Sequence, residues 1–110
     1  MPSVFWFSKL KSGARAADYE RWVQERDYHL AQELDCIVHY RVHRMAGPVE
    51  GEGPALYDYV EVLEVTDMDD YRAAMQDHPA LKQIIAEIGR YIEGVGGAWG
   101  EPIVPLGKEK

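Results

Sequence analysis

A single cysteine, Cys36, stands among the 110 residues, so an internal disulfide is excluded and no zinc-type ligand spacing exists. A reducing compartment, the cytoplasm, is the expectation. Apolar residues nowhere run to the ~20 needed to span a bilayer. The opening Met1-Pro2-Ser3 leads directly into a strand-like stretch, without the basic start and long apolar run of a signal peptide. Basic charge is also scarce. Twelve Lys and Arg face 19 Asp and Glu, the formal net charge is -7, and no basic run occurs. Nucleic acid and anionic membrane are therefore poor partners, and a small, neutral or weakly charged ligand suits the chain better.

What is present is globular. Hydrophobic residues make up 46% of the chain, with three Trp and seven Tyr, and 28% of residues are charged. The length fits one domain with its own core, expected over residues 1–105 with a polar tail at 106–110. Residues 3–11 (SVFWFSKLK) are rich in β-branched and aromatic types and end at Ser12-Gly13, which predicts a first strand. From about Ala16 to Leu34 the spacing becomes helical, with Tyr19, Trp22, Val23, Leu30 and Leu34 on one face. Strands are predicted at 37–45 and 57–65, separated by a Gly- and Pro-rich loop at 47–54 that is long for a hairpin. Thr66 and Asp69 resemble a capping box that starts a helix at Asp67. His78-Pro79 interrupts it, His78 suits a helix cap, and Pro79 suits the first position of a second helix. There Leu81, Ile84, Ile85, Ile88 and Ile92 form a stripe ending at Gly94. Residues 95–104 predict a last, irregular strand.

The order β-α-β-β-α-β predicts an α+β, ferredoxin-like fold: a four-stranded antiparallel sheet with helices on one face. A sheet apolar on both faces but covered on one needs a second cover, which predicts a homodimer formed by sheet-to-sheet packing.

The two middle strands carry the chemistry. Val38 and Val42 match Val60 and Val62 as one parity, and the other carries His39, Arg41 and His43 against Tyr57, Tyr59 and Glu61. If odd residues lie opposite odd residues, six polar groups converge. His39 and His43 are then roughly 13 Å apart, too far to share a metal, but each can act as a general acid or base. Arg41 opposite Glu61 reads either as a cross-strand ion pair or as a clamp for an acidic substrate group. Tyr57 and Tyr59 read as packing or as donors to a developing oxyanion. Tyr28 and His29 lie late in the first helix, where a surface role is the plain alternative. Trp6, Trp22 and Trp99 come from three elements and suit either a core or the walls around a planar ligand. Cys36 has no catalytic motif around it, and the glycines of VGGAWG make no nucleotide fingerprint.

The strings KLKSG (9–13), DYERWV (18–23), YRVHR (40–44) and YDYVEVLEVTDMDDY (57–71) resemble the RedY/HapK-like family. That family belongs to the dimeric α+β barrel superfamily, beside EthD-type and stress-responsive barrel proteins. The resemblance covers about residues 4–103. It implies a small homodimer from prodiginine or bisindole biosynthesis, acting on reactive aromatic intermediates without metal or organic cofactor. It also implies a pocket between sheet and helices. EthD-type relatives often carry a His late in the first helix, where the nearest positions here are Asp27 and His29.

The residues and the resemblance together predict a cofactor-independent enzyme that directs cyclisation, tautomerisation or dehydration of an unstable aromatic intermediate. His43, with Glu61 or Tyr59, would move the proton, with His29 and His39 as alternates. Arg41, Trp6, Trp99, Tyr28 and Tyr40 would bind the substrate. The alternatives are a non-catalytic carrier of the intermediate and a cofactor-free monooxygenase. Which sheet face lines the pocket is open. If the histidine face is the dimer interface, Tyr40, Asp58 and the helix residues near His29 inherit the role.

Overall fold

The computed structural model describes residues 1–107; the last three residues of the expected tail lie outside it. Four strands, β1 (Ser3–Leu10), β2 (Ile37–Arg44), β3 (Tyr59–Val65) and β4 (Ile92–Gly100), form one sheet in the order β2-β3-β1-β4. Every neighbouring pair is antiparallel. A helical rod follows β1, made of α1 (Ala16–Trp22), a π-helical turn (Val23–Asp27) and α2 (Tyr28–Ala31). After β3 come α3 (Met68–Asp77) and α4 (Pro79–Ile88). This is the expected α+β sandwich, with helices on one face of the sheet.

Local chemistry sets the boundaries. Gly13, at φ 86°, takes the left-handed turn that ends β1. The N-cap of α3 is Asp67, whose side chain accepts the Asp70 N–H at 2.7 Å, so the cap falls one residue after the expected Thr66. His78 caps α4 through Nδ1, which accepts the Ala80 N–H at 3.1 Å, and Pro79 occupies the first turn. The helical stripe ends at Ile88. Ile92, expected to continue it, is instead the buried first residue of β4, which starts and ends earlier than the spacing predicts.

The core lies between the sheet and the helices. Val4, Leu63, Val65 and Ile92 from the sheet meet Tyr19, Trp22, Val23, Tyr71, Leu81 and Ile84 from the helices. Glu87 on α4 is buried there and accepts hydrogen bonds from Trp22 Nε1 (2.8 Å), Arg26 Nη2 (2.6 Å) and Gln83 Nε2. Those donors, Arg26 foremost, hold its carboxyl well below the usual range. It is a structural carboxylate that ties α4 to the first helical rod.

One irregularity decides which face carries which side chain. In β2, Ile37 pairs with Val65 but His39 pairs with Glu64, so Val38 is the extra residue of a β-bulge. A one-residue shift exchanges the two faces of a strand. Beyond the bulge, Tyr40, Val42 and Arg44 lie opposite Leu63, Glu61 and Tyr59 and face the helices. His39, Arg41 and His43 lie opposite Glu64, Val62 and Val60 on the outer face, where all three are exposed. The expected convergence of odd residues with odd residues is therefore not formed, and neither is the Arg41–Glu61 pair. A second bulge, at Val95, shifts β4 against β1 between Phe7 and Ser8.

Candidate active site

A cavity of about 420 Å³ opens between the sheet and the helices. Its walls are Trp6, Ile37, Leu63, Met75, Leu81, Ile84, Ile85, Ile88 and Ile92, apolar side chains suited to a flat hydrocarbon surface. Set into them are Ser8, Asp27, Tyr40, Glu61 and Tyr71.

Each polar group is positioned by its element. Glu61 follows the inward parity of β3, between Tyr59 and Leu63. Tyr40 reaches the same face only because of the Val38 bulge. Asp27 closes the π-helical turn, four residues after Val23 and four before Ala31, and so lies on the buried stripe of the rod. Single π turns inside helices frequently occur at functional sites.

The three meet at one atom. The Tyr40 hydroxyl lies 2.6 Å from Asp27 Oδ2 and 2.5 Å from Glu61 Oε1. A phenol has a single proton to give. Tyr40 donates to one carboxylate, and the other close contact requires that the second carboxyl be protonated and donate to the phenol oxygen. The arrangement thus holds one exchangeable proton between two acids. Burial acts in the same direction: Asp27 is fully buried and its pKa is pushed up to about 7, by loss of hydration first, then by the neighbouring Glu61 charge, against the opposing hydrogen bond from Tyr40. Burial also raises the Glu61 carboxyl, with Tyr40 opposing. The Tyr40 phenol is pushed well above its ordinary range by burial and by both carboxyls, so it relays a proton without ionising. The pair titrates as a unit.

Tyr71 faces the same cavity, and its hydroxyl accepts the Trp6 indole N–H at 3.0 Å. Its phenol is raised to about 12, chiefly by burial. The Trp6 ring lies against Gly97 of β4, where any Cβ would collide with it.

The other expected site residues are dispersed. Tyr59 faces inward but donates to Glu20 Oε2 at 2.8 Å, and Glu20 also pairs with Arg44 at 3.0 Å. These residues border a separate polar hollow of about 190 Å³ with Tyr28 and Val42. The Tyr28 hydroxyl accepts the Val42 N–H at 2.9 Å, and its ring packs edge-on against Tyr40 at 5.3 Å. His29 is exposed on α2. Trp99 lies outside the cavity, with the Arg72 guanidinium 5.7 Å from its ring centroid. Tyr57 packs on Phe7, and Asp58 accepts the Leu10 N–H at 2.7 Å at the end of the sheet. Trp22 belongs to the core.

Of the expected residues, Glu61, Tyr40 and Trp6 therefore gather in the cavity, while His29, His39, Arg41, His43, Tyr28, Tyr59 and Trp99 do not. Asp27 had a readable signal, being a carboxylate on an apolar helical stripe. Ser8 and Tyr71 had no more than strand and helix parity.

Residues 2–103 match the family described as REDY-like protein HapK. The structure superposes on that of HapK from Hahella chejuensis with a TM-score of 0.80 and 27% identity, covering 100% of both chains. An EthD-like protein from Ralstonia eutropha follows at TM-score 0.74 and 19% identity, over 96% of this chain and 94% of that one. SnoaB from Streptomyces nogalater, a cofactor-independent oxygenase, gives 0.72 and 15% over 97% of each. The last two identities speak for the fold alone. No curated protein matches the chain. With the family match spanning all but the ends of the sequence, this chain belongs to the REDY-like HapK family.

Proposed function

We propose that this protein is a cofactor-independent enzyme of natural-product biosynthesis that moves a proton on a flat aromatic intermediate held in the cavity. Tautomerisation, or the proton-transfer step of a cyclisation or dehydration of a bisindole- or prodiginine-type intermediate, is the reaction class. The observation that carries this reading is the Tyr40 hydroxyl between the carboxyls of Asp27 and Glu61 in an otherwise apolar cavity. The ionised member accepts a proton from the ligand, and the protonated member delivers its own back at a second ligand atom, with Tyr40 carrying the proton between them. The count of protons on the pair is unchanged at the end. A base held in apolar surroundings near its working pH is well matched to this task.

The outer face of the sheet supports a homodimer. Phe5, Phe7, Val60 and Val62 are half-buried there, and a second copy packed on that face would cover them together with His39, Arg41 and His43. Under this reading the histidines belong to the subunit interface.

A flat probe that needs only a base tests the claim. 5-Nitrobenzisoxazole loses its ring C–H proton as its N–O bond breaks, giving a coloured cyanophenolate. The protein should accelerate this opening, and Asp27→Asn should lose at least about 100-fold of that acceleration. Equal rates for the two proteins, both folded, would refute proton transfer and leave a carrier of the intermediate. The SnoaB likeness motivates a second reading, a cofactor-free monooxygenase. Product formation from an aromatic intermediate in the absence of O₂ separates the two, since the proton-transfer reading requires it to persist.

A further inference from the structure

Two polar atoms in the cavity wall have no hydrogen-bond partner among the described residues: Ser8 Oγ and Asp27 Oδ1. Both residues are buried, Ser8 2% and Asp27 0% exposed. Buried polar atoms are nearly always paired, because leaving one bare forfeits its hydration. Ser8 lies on the inward parity of β1, two residues from Trp6 and opposite Tyr59. A third bare atom, the Tyr19 hydroxyl, lies in the packed layer behind, where its ring meets that of Tyr59 edge-on at 4.6 Å.

The wall chemistry around these atoms is apolar, so they form a polar spot in a hydrocarbon surface. Asp27 Oδ2 is already committed to Tyr40, which leaves Oδ1 as the free oxygen of the same carboxyl. When ionised it accepts, while the Ser8 hydroxyl can rotate to give or to take. The matching ligand group carries an N–H or O–H hydrogen for Asp27 and a lone pair or hydrogen for Ser8.

We propose that Ser8 Oγ and Asp27 Oδ1 form a polar subsite that binds the N–H or O–H group at one pole of an aromatic ligand whose rings lie against the apolar wall. Ser8 is a binding and orienting residue: it fixes which atom of the ligand meets the carboxyl pair. This rests on the cavity being the ligand site, as proposed above.

Paired probes of one shape test it. Binding of 2-naphthol and of naphthalene to the intact protein is followed by Trp fluorescence and by calorimetry. The wild type should prefer 2-naphthol by about tenfold, the effect of one good buried hydrogen-bonding group. Ser8→Ala should reduce the preference to about threefold or less, with naphthalene affinity unchanged. Ser8→Cys, a weak hydrogen bonder of similar shape, should do the same and guards against a packing artefact. An unchanged naphthol-to-naphthalene ratio in both folded variants overturns the subsite while leaving the cavity reading intact. Failure of the wild type to bind either probe overturns the cavity reading, and the subsite with it.

Discussion

At the residue scale, burial and hydrogen bonding separate two buried carboxylates into different uses. Glu87 meets an arginine, an indole and an amide, and is held ionised. Asp27 meets a phenol and a second acid, and is held near neutrality. Opposite pH dependences follow. The stability from Glu87 is present above its ordinary pKa and is lost in strong acid, as pH falls through its depressed folded value. The stability from Asp27 is complete below its ordinary 3.8 and is lost as pH rises through about 7. Melting temperature should therefore fall between about pH 5 and pH 8, and Asp27→Asn should flatten that decline. A slope equal to wild type in the variant would detach Asp27 from the effect. Catalysis has the reverse sign, since the base form works: the rate on 5-nitrobenzisoxazole should rise with pH through about 7. Tyr40→Phe should cut that rate by at least about tenfold, because the shared proton loses its relay. His43→Ala, on the outer face, should leave turnover within about twofold of wild type. A large loss in His43→Ala, with the protein still folded, would return the histidine to the chemistry.

At the element scale, the order and kind of elements were legible because period and punctuation agreed. Alternation marked β1 and β3, the Tyr19, Trp22, Val23, Leu34 stripe marked the first rod, and His78-Pro79 marked the break between α3 and α4. The face of β2 was not legible. Ile37 and Tyr40 both face the cavity, three residues apart rather than two or four, because Val38 is inserted in the ladder. A bulge without glycine leaves no compositional trace, and a single added residue sends three charged or titratable side chains to the opposite face. The cavity rim carries a second element-scale constraint, where β4 passes under Trp6 at Gly97. Gly97→Ala should destabilise the protein by about 1–3 kcal/mol in denaturant titration, since the ring pinned to Tyr71 must shift. A neutral result would mean that the indole moves freely.

At the scale of the whole molecule, one sheet face is closed by helices and holds the cavity, and the other is left half-apolar. The fold and family were readable from strings that run through most of the chain, but the outer face gained its meaning only from the observed parity. Sedimentation should give twice the 12.5 kDa of one chain, and Val62→Asp, placing a charge at the centre of that face, should yield monomers that keep the cavity. Monomeric wild type at micromolar concentration would remove the dimer from the account.

The central claim is that Asp27, Tyr40 and Glu61 store one exchangeable proton in an apolar cavity. Carboxyl-carbon NMR of ¹³C-labelled protein, titrated from acid to alkali, reads this directly. The account predicts an Asp27 resonance with a midpoint of about 7 that responds to Tyr40→Phe and to Glu61→Gln, whereas a simple titration near the ordinary 3.8, indifferent to both substitutions, would contradict it.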